Sequence, residues 1–303
     1  MWFKNARLYT ADFSDLKDIF KNETEVEDAV ESAPFRPCQA NEISTVGFAP
    51  LFGGETAFAF ETSGAWFFRL VEETKLLPAA VIREQLNELV AKREAELKRE
   101  IRKNEKEALK TALTNQLLAR AFATRREMLV YANPEHGTVA VSASSAKRAE
   151  KAIAMLRQAF TTFPARVLQP RCAVEDRMTA WISKNELPDR FTLGTDVVLK
   201  STEEEGGVIR ASKEDLSSDE IAVHIEAGKV TTELQLTYQD SLSFVLTSDI
   251  ALKRMKPTDQ YLERNLPEKS DDRTADLQAH LVLQGALLGE LSEYLLTLFD
   301  CER

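Results

Sequence analysis

The chain has 303 residues, 44% hydrophobic and 29% charged, with a formal net charge of -10, enough for two or three domains or one elaborate domain around a real core. Its three cysteines (Cys38, Cys172 and Cys301) are odd in number and far apart, which excludes a disulfide framework or a zinc spacing. MWFKNARLYT lacks the apolar stretch of a signal peptide and no run is read as reaching the length of a membrane-spanning helix, so a reducing cytoplasm is the expected home.

In chain order, WFKNARLYT alternates like a strand, and FSDLKDIFKNETEVEDAVES carries a helical pattern with Ser14 as its N-cap. GETAFAFETSGAWFFRLVEETK reads as two strands around Thr62-Ser63-Gly64. From Pro78 the texture turns helical. Val81, Ile82, Leu86, Leu89, Val90, Leu97 and Ile101 keep a helical step that thins after Val90. One helix to about Lys103, roughly 37 Å long, and a second from about Glu105 to Leu118 are predicted, with Asn104 and Glu107 resembling a cap. This is a helical hairpin with a dry root and a wet, protruding tip.

REMLVYANPEHGTVAVSA then predicts a hairpin around residues 133–137, and SSAKRAEKAIAMLRQAF an amphipathic helix with Ala152, Ile153, Leu156 and Phe160 on one face. RVLQPRCAVEDRMTAWISKN suggests a short strand and a helix, and FTLGTDVVLKS a strand. DLSSDEIAVHIEAGK reads as a helix capped by Ser217 or Ser218 and ended by Gly228. KVTTELQLTYQDSLSFVLTSDIALKRMK alternates as a three-stranded meander. PEKSDDRT is a polar linker before an apolar C-terminal helix, whose leucines occupy more than one stripe and so want neighbours on two sides. Its second neighbour is either the subunit's own sheet or a partner subunit. The class is α+β, divided as 1–77, 78–118 (the basic hairpin), 119–170 (continuing the first region) and 171–303.

An acidic chain, taken alone, argues against a polyanionic partner. The distribution says otherwise: 13 Lys+Arg stand against 7 Asp+Glu between Lys75 and Arg126. That concentration fits either a local polyanion site or a long solvated helix. Twelve of the thirteen basic residues, all but Arg83, are singled out: Lys75, Lys92, Arg93, Lys98, Arg99, Arg102, Lys103, Lys106, Lys110, Arg120, Arg125 and Arg126, with Phe122 among the last three. Smaller clusters are Arg210 with Lys213, Lys229, and Lys253 with Arg254 and Lys256. Because strand side chains alternate, the last three cannot all share one face.

Signatures of catalysis are scarce. His136, His224 and His280 lie in different elements, and no His-x-x-x-His pair exists. Gly53-Gly54 and Gly206-Gly207 do not extend to a phosphate-binding loop, and no nucleophile elbow is present. Glu203-Glu204-Glu205 and Asp271-Asp272 are acid runs of the kind solvated in turns. Neither metal, cofactor nor enzymatic activity is expected.

WFKN (Trp2 to Asn5), KLLPAAVIRE (Lys75 to Glu84), LLARAF (Leu117 to Phe122), SAKRAE (Ser145 to Glu150), GGVIRASKEDL (Gly206 to Leu216), HIEAGK (His224 to Lys229) and LKRMK (Leu252 to Lys256) stand in one order along nearly the whole chain. In these seven blocks it resembles the RdgC family of bacterial recombination-associated proteins. Ala119 departs from it, since the family often has proline there. The resemblance implies a cytoplasmic, nucleoid-associated protein that binds DNA, mainly double-stranded, with little sequence preference. It implies restraint of the recombinase RecA by competition for DNA, and horseshoe-shaped subunits closing as a homodimer into a ring with a basic hole. The basic residues named above, with Phe122, are then the expected DNA contacts. Phe122 itself has two readings: a ring that stacks on or wedges between bases, or one that packs into the hairpin root or a dimer contact. A scaffold whose hairpin docks a protein partner is the alternative to DNA binding.

Overall fold

The computed structural model describes residues 2–53, 57–203 and 206–302, and it is α+β, as the pattern predicts. The alternation of RLYTA gives β1 (Arg7–Ala11). The helical stretch after it is more broken than its pattern suggests, because two 3-10 turns (Ser14–Leu16 and Ile19–Lys21) precede α1 (Glu23–Glu31). Ser14 is not the cap. Its N–H donates to Asp12 at 2.9 Å, and Asn22 caps α1 by accepting from the Thr24 N–H at 3.1 Å.

β2 (Ser44–Ala49), β3 (Ala59–Thr62) and β4 (Ala65–Lys75) follow. Ser63 and Gly64, with φ 51 and 75, form the two-residue turn that suits strand twist between β3 and β4. The helical hairpin is α2 (Ala79–Leu97) and α3 (Lys103–Arg120). α2 stops at Leu97 rather than near Lys103, because Lys98 turns left-handed at φ 52. Its 19 residues span about 28 Å.

Next come β5 (Ala123–Asn133), β6 (Thr138–Val141), α4 (Ala146–Ala159), β7 (Ala165–Val167) and α5 (Val174–Ser183). Then come β8 (Phe191–Ser201), β9 (Val208–Ala211), α6 (Asp219–Glu226), β10 (Lys229–Tyr238), β11 (Leu242–Thr247) and β12 (Leu252–Pro257). α7 (Asp259–Asn265) and α8 (Arg273–Leu298) end the chain. β9 and α7 escape the sequence pattern. Among the described residues the twelve strands form two sheets: a seven-stranded one in the order β2-β4-β5-β6-β1-β7 with β3 on β4, and a five-stranded one in the order β12-β11-β10-β8-β9.

Two compact units divide the chain. One holds residues 1–32, 50–69 and 128–303, and the other holds 33–49 and 70–127. In the larger unit, β6 and β7 flank β1 antiparallel, with Arg7 opposite Val141 and Tyr9 opposite Val167. Ala149, Ala152, Ile153 and Leu156 of α4 are buried, and Phe160 at its end stacks on Phe20 at 5.0 Å. Gly228 ends α6 at φ 85, where a side chain would be strained.

Helix α8 organises the larger unit. Gly285 and Gly289 face the first sheet. A side chain at Gly285 would come within 3.1 Å of Phe67, and one at Gly289 within 2.8 Å of the Tyr131 hydroxyl. Tyr294 faces the second sheet, its ring 5.4 Å from Phe191 and 5.8 Å from Tyr238. Phe299 meets Trp181 of α5 at 6.0 Å. Both neighbours that the leucine pattern calls for are therefore the subunit's own sheets. By length and composition α8 is apolar enough to cross a bilayer, which corrects the reading that no run reaches that length. Here Leu281, Leu287, Leu288, Leu291, Leu295 and Leu296 are buried inside the fold. Each such side chain contributes roughly 1.5–3 kcal/mol.

Leu295 has no exposed surface. Leu295→Ala is expected to lose about 2–5 kcal/mol in urea denaturation. A loss well below that range would show that α8 is not the shared packing element.

Candidate nucleic-acid interface

In the smaller unit the basic residues sort by whether a carboxylate holds them. The hairpin tip is knitted by two glutamates. Glu94 accepts the Ile101 N–H at 3.0 Å, and Glu105 accepts the Arg102 N–H at 2.9 Å, satisfying donors that the start of α3 would otherwise leave open. Glu105, not Glu107, is thus the capping acid. The Arg99 guanidinium grips the same carboxylate through both nitrogens at 3.0 and 2.8 Å. That bond first, and the Arg102 N–H second, hold Glu105 down to about 2. Arg93 pairs with Glu96 at 3.1 Å. Lys92, Lys98, Lys103, Lys106 and Lys110 are exposed and have no ion pair among the described residues.

At the hairpin's base, Glu73 is a buried carboxylate on β4. Burying it requires partners. Arg125 Nε donates to it at 2.7 Å and the Cys38 N–H at 2.8 Å, and the two hold its pKa below the usual glutamate value, Arg125 foremost. The Arg125 guanidinium also lies 5.3 Å from the Phe35 ring. Lys75 Nζ donates to the carbonyls of Gln39 and Ala40 at 2.6 and 3.0 Å. Arg125 and Lys75 are thus tied into the fold, while Arg120 and Arg126 are exposed without an ion pair among the described residues.

Phe122 joins α3 to β5. Its carbonyl accepts the Leu76 N–H at 2.7 Å, so the backbone is pinned, yet the ring is 85% exposed. It does not follow the buried Leu118 into the hairpin root, which removes that half of the packing reading. Leu76, 55% exposed, is the donor of that bond to the Phe122 carbonyl, and Ile43, 60% exposed, flanks the same strand end from the β2 side, its carbonyl accepting the Lys75 N–H at 2.8 Å. Sequence reasoning missed this apolar trio because its members come from three separate strand ends.

In the larger unit, Arg210 lies on β9 opposite Val198, and Lys213 stands just beyond at φ 61. Lys229 opens β10, half-buried. On β12, Lys253 pairs with Glu233 at 2.8 Å, Arg254 with Asp196 at 2.8 Å, and Lys256 loosely with Asp259 at 3.8 Å. Lys253 and Arg254 are adjacent yet line one cavity with Arg210. Strict alternation fails there because the β11–β12 register shifts and Arg254 adopts φ 51.

The histidines take structural or peripheral positions. His280 Nδ1 accepts from the Trp2 indole at 2.9 Å, and burial lowers its pKa. His136 lies in the exposed β5–β6 turn, and His224 is half-buried on α6. Asp272 is the cap of α8, accepting from the Thr274 and Ala275 N–H groups at 2.8 and 3.2 Å. Glu204, Glu205 and Gly54, which belong to the acid run and glycine pair noted in the sequence, lie outside the described residues. Among the described residues no group of three or more His, Cys, Asp or Glu is placed to hold a metal ion.

The profile of the family described as "Putative exonuclease, RdgC" matches residues 1–302. A protein of Proteus mirabilis (strain HI4320) named "Recombination-associated protein RdgC" is 36% identical over 293 residues, 96% of this chain and 95% of that protein. Relatives of the same name are 35% identical in Shewanella halifaxensis (strain HAW-EB4), covering 95% of this chain and 94% of the relative, and 33% identical in Salmonella paratyphi B, covering 99% and 97%.

Phe122→Ala is expected to leave the denaturation midpoint nearly unchanged, within about 0.5 kcal/mol, as for an exposed side chain. A loss of about 3–5 kcal/mol, the range for a buried phenylalanine, would contradict the exposed placement.

Proposed function

The chain belongs to the RdgC family, and from that premise we propose that it binds double-stranded DNA without sequence preference and modulates homologous recombination. In this reading two horseshoe-shaped subunits close as a homodimer into a ring around the duplex, on the nucleoid in the cytoplasm. They limit access of the recombinase RecA to DNA and cut nothing. The observation that carries the reading is the row of lysines on the hairpin, Lys92, Lys98, Lys103, Lys106 and Lys110, exposed and without an ion pair among the described residues, in a chain whose net charge is -10. Each cation that meets a phosphate releases a condensed counterion, a gain indifferent to base sequence. The acidic remainder repels DNA elsewhere and confines contact to the basic surface. The names of the relatives, which associate them with recombination, support the same direction.

Phe122 takes the stacking or wedging role here, its ring free of the chain's own core and near the unpaired Arg120 and Arg126. One observation favours the hairpin as a protein-docking surface instead: Leu89 and Leu97 of α2 are partly exposed, at 38% and 41%. Docking through those leucines would be insensitive to salt, whereas phosphate contact is not.

Anisotropy titrations with several unrelated duplexes are expected to give closely similar affinities that fall steeply as salt rises. Phe122→Ala should weaken binding by about 1–3 kcal/mol with an unchanged salt slope. Supercoiled plasmid incubated with the protein and magnesium should stay unnicked. Cleavage that copurifies with the protein and vanishes when its acids are replaced would overturn the non-enzymatic reading, and salt-insensitive behaviour would favour the docking surface.

A further inference from the structure

The outer face of the five-stranded sheet holds a second arrangement of charge. Ser243 pairs with Lys256 and Val245 with Lys253, so Arg254 and Met255 together oppose Phe244 alone. This bulge, with Arg254 at φ 51, turns the neighbours Lys253 and Arg254 toward one cavity of about 360 Å³. Arg210 reaches it from β9. Asp196 and Glu233 line it too.

Three cations therefore face two carboxylates. Lys253 Nζ donates to Glu233 Oε1 at 2.8 Å, and Arg254 Nη1 donates to Asp196 Oδ2 at 2.8 Å. Asp196 Oδ1 also accepts the Lys213 N–H at 3.2 Å, which anchors the acid in the loop after β9. Arg210 has no ion pair among the described residues and is exposed. The two pairs reach solvent, and pairs of that kind are weakly held and open to exchange. A phosphate group offers the same acceptor geometry as the carboxylates, with oxygens that suit a guanidinium fork. No aromatic ring among the described residues lines the cavity, so it has no platform for a stacked base.

We propose that this cavity is a subsite for a backbone phosphate of DNA, and that Asp196 and Glu233 hold its affinity down by competing with that phosphate for Arg254 and Lys253. Arg210 makes the first contact, and the other two cations exchange a carboxylate for a phosphate oxygen as the backbone seats. Internal competition keeps the grip moderate, so the strand leaves the site readily. The proposal rests on the DNA-binding reading above.

The experiment measures affinity for a short random-sequence duplex across a salt series. It compares the wild-type chain, Asp196→Asn, Glu233→Gln, both together, and Arg210→Ala. A further variant, Glu220→Gln with Glu226→Gln on α6, makes the same change in net charge away from the cavity. The double Asp196→Asn, Glu233→Gln variant is expected to bind several-fold more tightly, its slope of log affinity against log salt steepened by about 1–2. Each single substitution should move part of the way, which keeps the test open if the double variant folds poorly. Arg210→Ala should weaken binding and flatten the slope by about 1. An unchanged slope in the Asp196 and Glu233 variants, or an equal effect from the α6 variant, overturns the subsite while leaving DNA binding intact. No duplex binding by the wild-type chain overturns both. Inorganic phosphate, titrated at constant ionic strength, separates the remaining source. If Arg210→Ala abolishes its binding but leaves duplex affinity untouched, the site serves free anions and the assignment to DNA fails.

Discussion

The simultaneous packing of α8 on both sheets is the contact on which the larger unit depends. Two glycines let the helix approach Phe67 and Tyr131 on one side, and Tyr294 and Phe299 fill the space toward Phe191, Tyr238 and Trp181 on the other. Once this helix commits Leu199, Leu234 and Leu236 of the second sheet to the core, strand alternation turns Val198, Glu233 and their neighbours outward. The charged outer face of that sheet is thus a consequence of what its inner face buries. The same helix that looks apolar enough for a bilayer is consumed by this role.

Charge follows a second rule. An acidic chain cannot leave every cation free, so availability depends on which carboxylates are nearby. Arg125 answers a buried Glu73, Arg99 ties down the hairpin turn through Glu105, and Lys253 and Arg254 are held by partly exposed acids. The first two are structural: removing either leaves an acid or a helix start without its partner. The exposed lysines along the hairpin do no such work, and their cost in a solvated helix is small. They are what a phosphate backbone would meet first.

Much of this was legible in the sequence. Period-two alternation located β8 and the β10–β11–β12 meander, and Ser63-Gly64 and Gly228 marked turns through backbone geometry that few residues tolerate. The family resemblance carried the functional direction. What was not legible is non-local. Lys98 is an ordinary helix former, and only its left-handed backbone and the reach of Glu94 to the Ile101 N–H end α2 there. β9 has four residues, too few for a pattern, and α7, with only seven, ends before the PEKSDDRT linker in a stretch that showed no periodicity. Arg254 looked like one of three alternating cations because a bulge leaves no trace in composition. Neither Asp196 nor Glu233 could be assigned to its cation, since the pairs join residues 58 and 20 positions apart.

The central claim is that the unpaired hairpin lysines are phosphate contacts. The direct measurement is the slope of log affinity against log salt for a chain in which Lys92, Lys98, Lys103, Lys106 and Lys110 are replaced together by alanine, compared with the unaltered chain. The expected slope is flatter by about 1 for each lysine that meets a phosphate, and equally so on unrelated duplexes. An affinity and slope identical to those of the unaltered chain would place the DNA elsewhere and contradict the account.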